Sequence, residues 1–356
     1  RSHFELPGSV QGARAEKAAD CSPYVTLFNA AGHSRRGARS LAVRYAYIGE
    51  RIAARLSLPT YVAPEDRQMP GYELVASPAL YPGQTVRAGV SADEANPDAV
   101  EARLYVQYYD VNDQPGRVYG PGVTLEPGAY RRLEWQIPGF ETFEPEGLLI
   151  YAVGIELARP GREALEQPGT VYLDDLGWWG EPQVTFKRPA AAQGSTAYRA
   201  NWVNAVDQWE GWGPAFRLIQ NSGRGLVMTG TREWRNYRVS ARVRPALVKA
   251  GGIAARVQGM TRFYALQLVE GGKARLLKAF EGADSVLAEA VFPWELWQEY
   301  ALSLEVNGGR LRGWVEGRLL FDVEDPDALM DGGGAGLVVE EGHFMTDEVV
   351  VSAAEA

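Results

Sequence analysis

The chain has 356 residues, of which 46% are hydrophobic, and a formal net charge of −9. This length allows two domains with separate cores, and the charge argues against nucleic acid or an anionic membrane as the main partner. No apolar run approaches the ~20 residues of a membrane-spanning helix. Residue 1 is arginine, so we expect a fragment or a processed form. The single cysteine excludes an intrachain disulfide and does not identify the cellular compartment.

The first half of the chain consists of short segments typical of β-strands. Residues 9–38 lack a clear pattern, but residues 38–47 alternate with period two, which predicts a half-buried strand. Further strands are predicted at 51–58, 72–76, 85–90, 102–109, 130–137, 148–157 and 171–180. No long stretch has helical periodicity, and many glycines and prolines supply turns, so a sandwich or barrel is indicated.

Residues 184–197 have little patterning and contain Pro189 and Gly194, which predicts a linker between domains at 1–183 and 198–356. Beyond it, strands are predicted at 225–229, 237–244, 252–258, 263–270, 274–279, 285–290, 299–306, 310–315, 318–323, 336–340 and 348–352. Glycine turns at 271–272, 307–309 and 316–317 predict hairpins. We therefore predict an all-β protein of two β-sandwich (jelly-roll) domains in tandem, each able to fold alone.

Three segments of the first half resemble the jelly-roll carbohydrate-binding modules of the galactose-binding-like fold. They are Phe4-Glu5, residues 40–43 and the Val-Tyr-Leu-Asp-Asp-Leu run at 171–176. In that family an N-terminal glutamate and an aspartate of the final strand commonly share a structural calcium. The resemblance implies Glu5 with Asp174 or Asp175 as ligands, completed by backbone carbonyls. The alternative is that the aspartates accept backbone N–H bonds or flank a turn.

The second half is similar to the concanavalin A-like, laminin-G-like sandwiches. The matching segments are residues 233–238, 251–256, 262–268, 306–308, 334–338 and 344–349. In the branch with the 3-keto-disaccharide hydrolase domains, an arginine at the Arg256 position and polar groups near Gln267 line the concave face. Acidic residues expected beside that glutamine are Ala265 and Val269 here, which argues against catalysis. Similar tandem sandwiches accompany some bacterial ADP-ribosylglycohydrolase-like proteins, which implies a catalytic domain in the parent chain.

We predict that the sheet face carrying Arg256 and Gln267 binds a ligand, because a guanidinium and an amide can hold sugar hydroxyls. An exposed polar sheet face without a ligand is the alternative. Aromatic rings that could stack on sugars there are Trp234, Tyr237, Tyr264, Trp209 and Trp212. The first half offers a second set, Tyr105, Tyr108, Tyr109 and Tyr119, although most aromatic residues in sandwiches belong to the core. Trp178 and Trp179 are expected to pack between the two domains.

The predicted function is non-catalytic binding of carbohydrate or a glycosylated surface, as an accessory region of a larger enzyme. The alternatives are a glycoside hydrolase and a structural module between domains. Neither the Glu-x-Asp-x-x-Glu strand motif nor a Gly-x-Ser-x-Gly elbow occurs in the sequence, so no catalytic residue is predicted. On this hypothesis, replacing Arg256 by alanine abolishes glycan binding and barely changes stability.

Overall fold

A computed structural model describes residues 2–47, 53–61, 77–110, 114–139, 149–159, 168–188, 197–210, 213–327 and 330–355. In these residues almost all regular structure is β-strand, apart from the four-residue helix α1 (Ala197–Ala200). The all-β prediction is therefore confirmed, while the strand predicted at 72–76 lies outside the described residues. Among the described helical residues, none forms a helix long and apolar enough to span a membrane.

The first sandwich contains the strands β1 (Arg14–Ala15), β2 (Tyr24–Ala31), β3 (Arg39–Ala46), β4 (Ala53–Pro59), β5 (Thr85–Ala92), β6 (Val100–Tyr109), β7 (Pro115–Leu125), β8 (Tyr130–Gln136), β9 (Leu149–Ala158) and β10 (Gly169–Trp179). They form two antiparallel sheets with the orders β1-β4-β9-β6-β7 and β2-β3-β10-β5-β8. Alternating apolar residues of both sheets, such as Leu41, Val90, Leu104 and Ile155, form one core. The opposite side of each sheet is left for polar and aromatic residues.

The second sandwich contains β11 (Val184–Lys187), β12 (Val203–Ala205), β13 (Gln208–Glu210), β14 (Phe216–Thr229), β15 (Tyr237–Gly259), β16 (Arg262–Val269), β17 (Lys273–Phe280), β18 (Ala283–Val291), β19 (Tyr300–Asn307), β20 (Arg310–Val315), β21 (Arg318–Glu324) and β22 (Gly334–Ala353). One layer has the order β12-β14-β22-β15-β16-β17-β18. The other follows β11-β22-β15-β19-β20-β21. Both layers therefore share the two long strands β15 and β22.

A bend lets β15 and β22 pass from one layer to the other. Leu247 in β15 has φ +49°, and Gly342 in β22, which pairs with the next residue Val248, has φ +147°. A Cβ atom at Gly342 would lie only 1.9 Å from the carbonyl oxygen of Leu247, so the two backbones can approach here only because this residue is glycine. The strands predicted at 237–244 and 252–258 are therefore parts of β15, and those predicted at 336–340 and 348–352 are parts of β22, on either side of this bend.

The two sandwiches meet at a seam formed around Tyr81, which comes from the first half but is buried in the core of the second. Its ring packs edge-on against Trp234, with the ring centroids 4.8 Å apart. Nearby, Glu181 accepts hydrogen bonds from the backbone N–H groups of Arg235 and Asn236. Burial raises the pKa of this carboxyl group. Side chains of the first half thus help to complete the second sandwich.

Two expectations about the connection between the halves differ from the structure. Strand β11 lies inside the predicted linker and pairs with β22, whereas residues 189–196 lie outside the described residues. Trp178 packs against the first core and donates its Nε1–H to the carbonyl oxygen of Ala79 at 2.8 Å. Trp179 is partly exposed on the first sandwich. Tyr81 and Glu181 thus make contacts across the seam, while the hydrogen bond and packing of Trp178 described here lie within the first sandwich.

Candidate functional site

Arg256, the central residue of the predicted ligand face, is buried. Its side chain leaves an irregular part of β15, where the residue has φ +49°. The guanidinium donates hydrogen bonds to the carbonyl oxygens of Met330 (2.8 Å) and Arg235 (3.1 Å). Burial lowers the pKa of Arg256. The side chain ties β15 to the segment before β22, and only 2% of the residue is exposed to solvent.

Gln267 lies on the outward side of β16 but is also fully buried. Its amide donates to Glu340 at 3.1 Å and accepts a hydrogen bond from Arg275 at 2.8 Å. Arg224 of β14 reaches across this face to the Asp284 carboxylate of β18, with Nη1 3.0 Å from Oδ1 and Nη2 2.5 Å from Oδ2. Salt bridges therefore close the face that the sequence analysis expected to be open to a ligand.

Four of the aromatic residues assigned to the same face belong to the second core. Trp234, Tyr237, Tyr264 and Trp209 are all buried there. The Tyr237 hydroxyl donates to the carbonyl oxygen of Gly334 at 2.7 Å, and the Tyr264 hydroxyl donates to the Asp325 carboxylate at 2.5 Å. Trp212 lies outside the described residues. The described members of this set stabilise the interior of the sandwich and offer no ring face to a sugar.

The three carboxylates predicted to bind calcium have other partners. Glu5 accepts hydrogen bonds from the backbone N–H groups of Ala38 and Arg39. Asp174 is buried and accepts N–H bonds from Arg35 (2.9 Å) and Asp175 (2.7 Å). The Asp175 carboxylate lies 3.2 Å from His3 Nδ1 and 3.3 Å from an Arg87 nitrogen, also in a paired arrangement.

This donor set does not fit a calcium ion, which takes six to eight oxygen ligands. The carboxylate oxygens already accept hydrogen bonds from N–H groups or lie beside side-chain nitrogens. The partial positive charge of these N–H groups would repel a cation that approached the same oxygens. Within the described ranges, no group of three or more His, Cys, Asp or Glu side chains could hold a metal. Asp174 accepts backbone N–H groups, as the alternative interpretation expects, whereas Asp175 pairs with the side chains of His3 and Arg87.

We expect chelation to leave the melting temperature unchanged. An ion that binds only the folded state stabilises it by mass action, so its removal would lower the melting temperature. Calorimetry with EDTA and with added calcium measures this directly. Asp174→Asn, which weakens an acceptor of backbone N–H groups, should lower the melting temperature equally in both buffers. A calcium-dependent melting temperature that disappears in Asp174→Asn would contradict this prediction.

The outer side of the sheet β1-β4-β9-β6-β7 carries a cluster that we call the tyrosine face. Its members are Tyr105, Tyr109, Tyr119 and Tyr151, together with Glu16, Arg103, Gln107, Arg117 and Glu156. Tyr105 and Tyr119 are direct partners in neighbouring strands. The rings of Tyr109 and Tyr151 lie 4.6 Å apart at the end of the same sheet. Tyr108 pairs opposite Ile150 and packs against the first core, so it lies on the other side.

Hydrogen bonds and ion pairs connect the polar members of the tyrosine face. Glu16 accepts from the Tyr105 hydroxyl (2.6 Å), the Gln107 amide (2.7 Å) and an Arg117 nitrogen (2.5 Å). This network fixes the polar groups before any ligand arrives, which lowers the entropy cost of binding.

Ring packing and a glycine complete the same surface. The guanidinium of Arg103 lies 4.1 Å from the centre of the Tyr119 ring. Beneath Tyr105 lies Gly154, where a Cβ atom would come within 2.3 Å of the tyrosine ring. Burial raises the pKa of Tyr151 to about 12, so its hydroxyl stays protonated and can donate to a ligand at neutral pH. Tyr109, Tyr119 and Tyr151 are each partly exposed.

Some residues of the tyrosine face were predicted from the sequence, and others were not. Tyr105, Tyr109 and Tyr119 were among the proposed sugar platforms, whereas Tyr151 and the polar residues were not. The alternation of Arg103, Tyr105 and Gln107 within one strand was an available signal, because such residues share a face. Glu16 follows a two-residue strand in a segment without a pattern, and no local signal identified it.

The fold and this surface define a tandem β-sandwich protein. No protein-family model matches the chain, and no curated protein matches it either. Among solved structures, it is similar to the carbohydrate binding module CBM66 from Bacillus subtilis, with 19% identity and a TM-score of 0.39. That match covers 43% of this chain and 95% of the other.

Two further matches have comparable values. The CBM22-2 xylan-binding domain from Paenibacillus barcinonensis Xyn10C is 15% identical over 49% of this chain and 95% of its own, with a TM-score of 0.32. The galectin LEC-6 from Caenorhabditis elegans is 15% identical over 43% of this chain and 96% of its own, with a TM-score of 0.29. At these values the similarities do not assign a function.

Proposed function

We propose that the chain is a non-catalytic glycan-binding unit and that the tyrosine face is its binding surface. The observation that carries this proposal is the combination of partly exposed tyrosine rings with a fixed polar network on one side of one sheet. Ring faces stack on the apolar C–H faces of sugars, while amide, carboxylate and guanidinium groups hold hydroxyls. Tyrosine suits this role because it adds contact area at a low cost in side-chain entropy.

We also propose that the unit serves a larger bacterial enzyme as an accessory region. Two long strands, β15 and β22, belong to both layers of the second sandwich. This arrangement supports the resemblance of the second half to concanavalin A-like folds. Its described candidate ligand residues are buried, so we assign ligand binding to the first sandwich, which is joined to the second through the seam at Tyr81.

Tyr151→Ala is expected to weaken glycan binding about tenfold or more, because truncation of a central aromatic contact commonly costs more than ~1.4 kcal/mol. A glycan array probed with the full chain identifies a ligand, and titration calorimetry then compares variants. Tyr109→Ala should weaken the same ligand. Tyr24→Ala is the matched control, because Tyr24 is an exposed tyrosine on the other sheet. Equal affinities of Tyr151→Ala and the unmodified chain, with both folded, would refute the proposed surface.

A further inference from the structure

A second polar surface lies on the opposite side of the first sandwich, on the outer side of the sheet β2-β3-β10-β5-β8. It consists of two adjoining hollows of about 200 and 260 Å³. We call it the arginine groove, and its arginines and aspartates are Arg35, Arg36, Arg87, Arg132, Asp174 and Asp175. Four arginines face two aspartates there, although the whole chain has a net charge of −9.

The groove exists because β10 contains an irregularity between Asp174 and Gly177. Asp175 has φ +49° there, and the local shift turns both adjacent aspartates toward the groove instead of opposite sides of the sheet. Asp174 holds the backbone of Arg35 and Arg36, with N–H to oxygen distances of 2.9 and 3.2 Å. The loop that presents these two arginines is therefore fixed from below.

The two aspartates do not neutralise all four arginines. Arg87 pairs with Asp175 at 3.3 Å, while the Arg35 guanidinium lies 4.2 Å from the centre of the Tyr130 ring. Arg36 is exposed, and in the described part of the chain its guanidinium has neither an ion-pair nor a hydrogen-bond partner. Asp174 directs its carboxylate to backbone groups. The groove thus has a positive excess and at least one free guanidinium fork.

Aromatic surface lies beside this charge. Trp179 is 37% exposed, and its ring lies 5.2 Å from the guanidinium of Arg87. A planar fork of N–H donors matches the geometry of a carboxylate, and an exposed indole ring offers a flat surface to a sugar ring. A sugar that carries a carboxylate satisfies both features at once.

We propose that the arginine groove binds the carboxylate of an acidic sugar unit, with Arg36 and Arg87 as the anion-binding residues. That the ligand is a glycan rests on the proposed function, whereas the requirement for a negative charge rests on the groove alone. The groove and the tyrosine face lie on opposite sheets, so each can fail without the other.

The probe is trigalacturonate, and its neutral counterpart is the fully methyl-esterified trimer, which has the same rings without the charges. We expect the full chain to bind the acid, to bind it less tightly as salt increases, and to bind the ester at least about tenfold more weakly. Arg36→Ala should weaken binding of the acid about tenfold or more. Arg44→Ala is the matched control, because Arg44 is an exposed arginine on the same sheet and outside the groove. It should bind like the unmodified chain.

Three results would overturn the proposal. The first is the absence of trigalacturonate binding. This includes the case in which inorganic sulfate binds and Arg36→Ala abolishes that binding, because the groove would then bind a small anion but no acidic sugar. The second is an equal loss in Arg36→Ala and Arg44→Ala, which would indicate general attraction to positive charge. The third is a loss in Tyr151→Ala with none in Arg36→Ala, which would place the acidic sugar on the tyrosine face and leave the proposed function standing.

Discussion

Arg256→Ala is expected to destabilise the second sandwich by about 3 kcal/mol. Each hydrogen bond from a charged group contributes about 1.5–3 kcal/mol, and its loss leaves a buried carbonyl oxygen without a donor. The side chain holds the carbonyl oxygens of Met330 and Arg235, which lie far from it in the sequence. Urea denaturation followed by tryptophan fluorescence measures the loss. Below the unfolding transition, the variant should bind glycans like the unmodified chain.

Arg244→Ala is the matched control for this prediction. Arg244 lies in the same strand, but its side chain is exposed and pairs with Glu299 only at 3.5 Å. Exposed pairs of this kind contribute little to stability, so the unfolding midpoint should not move. If Arg256→Ala folds as stably as the unmodified chain and loses glycan binding, then Arg256 contacts the ligand, as the sequence analysis expected.

The strands of this chain could be predicted where apolar alternation is strong, as in β3, β5 and β16. In the first sandwich, three strands were not predicted, β1, β2 and β7, and all three lie at the edges of their sheets. The short strands β11, β12 and β13 of the second sandwich were not predicted either. Edge strands tolerate proline, glycine and exposed side chains, and β7 contains two prolines and three glycines. Their sequences therefore resemble loops, although hydrogen bonds to one neighbour make them strands.

At the predicted ligand face, strand alternation did not predict the direction or the exposure of the side chains. Arg256 was assigned to a face by counting along β15, but the pairing of β15 with β16 shifts between Ala255 and Gly259. The burial of Gln267 depends on Glu340, Arg275 and the salt bridge that closes over the same face. Such partners come from distant strands, so neither the direction nor the exposure of these side chains could be derived from local sequence.

The carboxylates at the start and end of the first sandwich illustrate a related limit. The sequence left two alternatives for these carboxylates, binding of calcium and acceptance of hydrogen bonds from backbone N–H groups. Both would compensate the cost of burying a carboxylate, so the sequence alone does not separate them. In the structure, Asp174 and Glu5 accept hydrogen bonds from backbone N–H groups of this loop.

Tyr81→Ala is expected to destabilise the second sandwich by about 3–5 kcal/mol, the range observed when a large buried aromatic side chain is truncated. The ring fills a position beside Trp234 and Phe186, and the residue is only 1% exposed. Its hydroxyl accepts from the Gly230 N–H and donates to Thr229, which itself donates to a carbonyl oxygen. The effect should therefore appear in the second sandwich although the mutation lies in the first half.

Tyr81→Phe separates packing from hydrogen bonding at this seam. It keeps the ring but leaves the Gly230 N–H without its acceptor, so we expect a smaller loss of about 1–3 kcal/mol. A fragment of residues 184–356 lacks Tyr81 and should unfold at lower urea than the same sandwich in the full chain. If the fragment and Tyr81→Ala are both as stable as the unmodified chain, the second sandwich folds independently of Tyr81 and the seam only joins two finished domains.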